Sequence, residues 1–349
     1  MTTLAVVASG LVTGLGFNAP ATLAALRAGL SAVRETPWKD HGSGDPIKGS
    51  RVSLPHWWEG TGKLADLVAP AIHECLQVAS VDDIASIPVL VGVSAPDRPG
   101  RPGDLDTTLL DEIAARLGSP LHPASRLFAA DQAGCAQALV QARALLARPE
   151  VPWVVVAGVD SLLAQDTLEA RSASRRLVTG DNSNGFFPGE AGTAVLLADA
   201  ERHDGPALVL LGLGFATEPA TIEGTAPLRA EGLTRAMRQA LEAAGVTLKD
   251  VAWRLADLSG EHYKFKEAAF AAGRLNDLDR DTPLDIWHPI ESLGEIGAAV
   301  LPCLFAMALD AGRHGRAPGR HSLCHVGSDA GERAAVVAGM RLSLEEMPT

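Results

Sequence analysis

Residues 153–159 read WVVVAGV, apolar at every position. A strand with one wet face alternates apolar and polar side chains. A run without alternation belongs to a strand covered on both faces, as in layered α/β proteins. The surrounding sequence has helical spacing at residues 105–117 and 134–147 upstream, and at 233–244 and 264–272 downstream.

Working outward, residues 4–9 form a short apolar run ended by glycines, which reads as a buried strand. Asn18 caps a helix that starts at Ala19 or Pro20 and runs to Gly29. Residues 41–62, rich in Gly, Pro, Trp and charge, read as an irregular surface excursion. A helix follows at 64–78, a strand at 87–93, and a loop at 96–103 (PDRPGRPG). Beyond residue 159, strands at 192–197 and 207–214 flank a turn at 203–206. The second half then repeats the alternation with a strand at 253–258, a helix at 294–309, and strands at 322–326 and 334–338. Alternating strands and helices imply a layered α/β fold. The turn at 203–206 is the natural midpoint and has no linker composition, so two closely packed halves, 1–202 and 203–349, are expected.

Composition narrows the function classes. The 349 residues are 47% hydrophobic and 21% charged, ordinary values for a globular protein. The formal charge of −12 argues against sequence-independent nucleic-acid binding and gives no basic face for an anionic membrane. No apolar run is long enough to span a bilayer, and the N-terminus lacks the basic start of a signal peptide. Cys75, Cys135, Cys303 and Cys324 are far apart and form no Cys-x-x-Cys pair, so neither a zinc site nor a disulfide framework is predicted. Free thiols fit a reducing cytoplasm. The early GLVTGLG run lacks the spacing and the later acid of a dinucleotide fingerprint, and no cofactor is predicted.

Four segments, in order along nearly the whole chain, carry a family resemblance. They are the opening VVASGLVTGLGFNAPATLAALRAGLSAVR, DQAGCAQALVQA around Cys135, NGFFPGEAGTAVLL at 184–197, and CHVGSDAG at 324–331. Together they resemble the β-ketoacyl synthases of the thiolase-fold superfamily. The resemblance implies a five-layered α-β-α-β-α fold built from two similar halves, usually dimeric. It puts Cys135 at the position of the acyl-accepting nucleophile. It also exposes departures. Ser259 and Glu295 stand where the family carries its two histidines, Ile290 and Glu291 stand where a lysine is usual, and His325 replaces a phenylalanine beside the cysteine.

These departures bear on the reaction. Decarboxylating a malonyl thioester creates an enolate, and donors must stabilise the charge as it develops. An ionised Glu295 repels that charge and Ser259 is a weak lone donor, so decarboxylative condensation is not expected. Two readings stay open. In one, Cys135 sits at a helix N-terminus where a thiolate is favoured. With His325 as base and Glu295 as orienting carboxylate, it then transfers or hydrolyses acyl groups held as thioesters on a carrier protein or coenzyme A. In the other, Cys135 is a small buried apolar residue. The chain is then a non-catalytic scaffold or partner subunit, like a chain length factor or a secretion-associated relative. Its expected assembly is a homodimer, or a heterodimer with a true synthase. Glu190 reads as structural. Arg171, Arg175 and Arg176 read as a solvated loop or as a contact for an acidic carrier, and Trp57 and Trp58 as a partner contact or as packing over the core.

Overall fold

The structure is a computed structural model that describes residues 2–40, 42–55, 59–78, 80, 83–275 and 284–342. The chain runs β1 (Leu4–Thr13), α1 (Ala19–Arg27), β2 (Val33–Lys39), β3 (Pro46–Ser50), α2 (Thr61–Val78), β4 (Val89–Val93), α3 (Leu105–Leu117), β5 (Arg126–Ala129) and α4 (Gly134–Leu146). It continues through β6 (Val154–Ser161), α5 (Gln165–Ala173), β7 (Glu190–Asp199), β8 (Ala207–Thr217), α6 (Glu231–Ala244), β9 (Val251–Ala256) and α7 (His262–Leu275). The last elements are β10 (Asp285–Trp287), α8 (Ile290–Leu293), α9 (Val300–Arg313), β11 (His321–Gly327) and β12 (Glu332–Arg341).

Ten strands form one sheet, in the order β10-β9-β11-β12-β8-β1-β7-β6-β4-β5. Each half contributes five strands with the same pattern. From the centre outward, β1-β7-β6-β4-β5 repeats as β8-β12-β11-β9-β10. In both halves the first two pairings are antiparallel and the outer two parallel. The halves meet where β1 pairs with β8 over Leu4–Leu210, Ala5–Val209 and Val6–Leu208. We propose the expected boundary at 202/203, between β7 and β8, as the division between the two units.

Three apolar cores account for the layers. One joins α4 and α9 to the inner faces of both half-sheets through Leu4, Val154, Val156, Val195, Leu255 and Val336. The second packs α2 and α3 on the other face of the first half through Ala5, Val7, Val155 and Leu196. The third packs α6 on the far face of the second half through Leu323, Ala335 and Val337. Helix, sheet, helix, sheet, helix is the expected five-layered order. The strand at 153–159 is covered on both faces, with Val154 and Val156 in the central core and Val155 and Val159 in the outer one.

Some local expectations change. Residues 41–62 were expected to be irregular, but β3 pairs there with β2, and Ser50 and Val52 are buried. The single helix expected at 294–309 is broken: Gly294 (φ +67°) and Gly297 (φ +51°) take conformations that a helix excludes, and α9 starts only at Val300. Strand β5 and helix α5 give no periodic signal because neither buries a continuous apolar stripe. Asn18 does cap α1, its Oδ1 accepting from the Ala21 amide at 2.8 Å. No helix among the described residues is long and apolar enough to cross a membrane.

Candidate functional site

Open α/β sheets place their sites beyond the carboxyl ends of parallel strands. Here β4, β6, β9 and β11 end around one buried polar cluster. After β5 the chain turns sharply at Asp131 (φ +46°), makes one short helical turn and enters α4. The turn is fixed by the Ala95 amide, which donates to Asp131 Oδ1 at 2.8 Å. Opposite it, the strained turn at Gly297 lies against Asp160, the penultimate residue of β6, so closely that a Cβ there would sit 2.0 Å from its carboxylate.

The cluster is a set of closed ion pairs. Arg98 donates two hydrogen bonds to Asp160, both at 2.5 Å, and its guanidinium lies 3.7 Å from Asp131. Arg176 donates to Glu261 at 2.8 and 3.0 Å and to Asp329 at 2.6 and 3.1 Å. Lys264 pairs with Asp257 at 2.8 Å and donates to the Gly327 carbonyl at 2.6 Å. Gln132 donates to Glu295 Oε1 at 3.3 Å, which also accepts from the Gly297 amide at 2.9 Å. These side chains leave a cavity of about 20 Å³. One water needs roughly 10–15 Å³ on the same measure, so no acyl chain fits.

No protein-family profile matches the chain. Part of it is 34% identical over 181 residues to a protein of Streptomyces coelicolor named actinorhodin polyketide beta-ketoacyl synthase 2. That match covers 47% of this chain and 42% of the relative, so it spans less than half of the relative's length. Among solved structures, a type II polyketide acyl-carrier protein in complex with its ketosynthase superposes with a TM-score of 0.80 at 13% identity, covering 97% of this chain and 99% of that one. The ishigamide ketosynthase/chain length factor gives 0.74 at 19%, with coverage of 97% and 99%. A ketosynthase in complex with its chain length factor from Xenorhabdus doucetiae gives 0.72 at 14%, with coverage of 97% and 98%. The fold is that of the β-ketoacyl synthases.

Within this synthase-like chain the expected grouping of Cys135, His325 and Glu295 is not assembled. Cys135 is fully buried one turn beyond Gln132 and does not line the polar cavity. Its Sγ lies 3.3 Å from the carbonyl oxygens of both Ala157 and Ala298, which share the single S–H donor. Burial pushes the thiol up to about 12, so the helix end does not yield a thiolate. Glycines hem it in: a Cβ on Gly92 would approach the sulfur to 2.5 Å and one on Gly158 to 2.9 Å.

His325 lies on the opposite face of its strand. On β11, Cys324 and Val326 enter the central core, while Leu323 faces α6. Alternation puts His325 with Leu323 on the outer face. Its cross-strand partners are Ala256 and Ala335, which pack outward. Burial, then the nearby Arg254 charge, hold this imidazole down at about 3, so it stays neutral.

Glu295 does line the cavity, and Ser259 reaches it indirectly, its Oγ donating to Glu261 at 2.9 Å. Glu190 is structural as expected: buried, 2.6 Å from Lys63, and accepting from the Val52 amide at 3.0 Å. The arginine cluster divides. Arg171 and Arg176 are drawn into the ion-pair network, and Arg175 stays 69% exposed. Trp57 and Trp58 lie outside the described residues.

Gln132 is the cavity residue that the sequence reading passed over. It stands three residues before Cys135, one turn away, in the same DQAGC segment. Arg98 and Lys264 carry no motif; the fold brings them to Asp329 of the 324–331 segment.

The site has a pH signature. Burial raises Glu295 to about 7, with Lys264 opposing the rise. The folded state therefore holds a proton that the unfolded chain releases near pH 4.5. This contribution is complete below that pH and is lost as pH rises through 7. Replacing Glu295 with Gln removes it. Urea unfolding of both proteins should show the wild type losing about 2–3 kcal/mol relative to Glu295→Gln between pH 5 and pH 8. A constant difference across that range would disprove the assignment.

Proposed function

We propose that this chain is a non-catalytic β-ketoacyl-synthase-like partner subunit, comparable to a chain length factor, that pairs with a catalytic synthase. The observation that carries this reading is the filled cavity: where a synthase must admit an acyl group, ion pairs leave room for about one water. The acyl thioester, on a carrier protein or coenzyme A, is then handled by the partner's site. The alternative, acyl transfer or hydrolysis through Cys135, needs a thiolate facing a cavity and a base beside it. The geometry favours the partner reading.

A pairing surface is available. β5 is an edge strand bonded only to β4 among the described strands, and its four residues are partly exposed. An open edge is a template for pairing with another chain. Val140 on the neighbouring helix α4 is 53% exposed. The structures of ketosynthases with their chain length factors make a heterodimer the favoured assembly over a homodimer. Co-expression with a catalytic synthase from the same source tests it. A 1:1 complex by light scattering, lost on Val140→Asp, is the expected result. Failure to co-purify with such a synthase would count against the proposal.

A further inference from the structure

A second concave site lies away from the polar cluster and shares no lining residue with it. It encloses about 550 Å³ between α1, β10 and α9. Small-molecule sites usually fall at roughly 300–1,000 Å³. We infer that this pocket binds an amphipathic organic acid, with its apolar body on the Leu23, Leu26, Met307 and Trp287 wall and its carboxylate at Arg27 and Arg316.

The wall is preformed. Trp287 packs edge-on against the buried Trp253, ring centroids 4.4 Å apart, which fixes the indole that lines the pocket. Leu23 and Leu26 come from one face of α1, and Met307 from α9. At the mouth, one carboxylate serves two guanidiniums: Asp310 Oδ2 accepts from Arg27 at 2.7 Å and from Arg316 at 2.7 Å. Both arginines are about two-fifths exposed, and each guanidinium keeps further N–H donors. A ligand carboxylate placed between them takes charge-assisted hydrogen bonds from those donors. The other acid of the lining, Glu291, is 80% exposed, and its Oε1 is 3.9 Å from the Nε2 of His288. The buried Nδ1 of His288, a lining residue, has no hydrogen-bond partner among the described residues. An amine meets two like charges at the mouth, and an alcohol forgoes the ion pair.

Calorimetric titration of the full chain with 4-phenylbutanoate, 4-phenylbutan-1-ol and 4-phenylbutylamine tests this. The acid should bind saturably and most tightly, and the amine should not bind. Arg27→Gln with Arg316→Gln should weaken the acid about tenfold or more while leaving the alcohol unchanged. Circular dichroism serves as the folding check, because both side chains sit at the rim. Equal affinity for acid and alcohol, acid binding unchanged in the double variant, or no saturable binding of the acid would each overturn the inference.

Discussion

Replacing Arg98 with Met should destabilise the protein by about 3–5 kcal/mol, the cost of leaving a buried charge without its partner. The side chain is 7% exposed and Asp160, its bidentate partner, 1%. Asp131, 3.7 Å from the same guanidinium, also loses its countercharge. Burial already lifts Asp131 to about 6, and the Arg98 charge holds it from rising further. Removing both charges of the main pair in Arg98→Met with Asp160→Asn should recover the part of the loss due to Asp160, leaving only the cost at Asp131. Urea denaturation of the two variants decides the matter. If the single variant is as stable as the wild type, the cluster is not the buried, closed network described.

The second large effect lies at Gly158, on the strand whose apolar run opened the sequence reading. A Cβ there would stand 2.3 Å from the Ala298 carbonyl oxygen and 2.9 Å from Cys135 Sγ. The first of these is backbone and cannot swing aside, unlike the end of a long side chain. Gly158→Val should therefore cost at least about 3 kcal/mol, at the upper end of overpacking penalties. Gly245→Ala offers a contrasting case: no atom lies within 4 Å of a Cβ there, and only its left-handed backbone (φ +68°) opposes the change. Thermal melting of both should show a much larger loss at Gly158. Comparable melting of Gly158→Val and the wild type would mean that the strand and the turn at 297–299 are not in contact.

The layered fold was readable because apolar runs and helical spacing are local properties. The 153–159 strand, the helix at 105–117 and the cap at Asn18 all follow from neighbours in sequence. The site was less readable. Two of its ion pairs join distant residues, Arg98–Asp160 at 62 positions apart and Arg176–Asp329 at 153, and no short motif records these pairings. The cysteine misled for a related reason. Sequence placed Cys135 correctly at the start of a helix, but which way its side chain points depends on Gly92 and Gly158 from two other strands. His325 was misplaced by one step of strand alternation, which sets it behind the sheet instead of in front. Glu295 lines the cavity in a turn that the glycines around it form.

Intact-protein mass spectrometry after incubation with an excess of acyl thioester tests the central claim most directly. Native protein should gain no acyl adduct. Iodoacetamide should likewise leave Cys135 unmodified until the chain is unfolded, since its thiol is buried and held near 12. A single acyl group on Cys135 of the folded protein, absent from Cys135→Ala, would contradict the account and restore the acyltransferase reading.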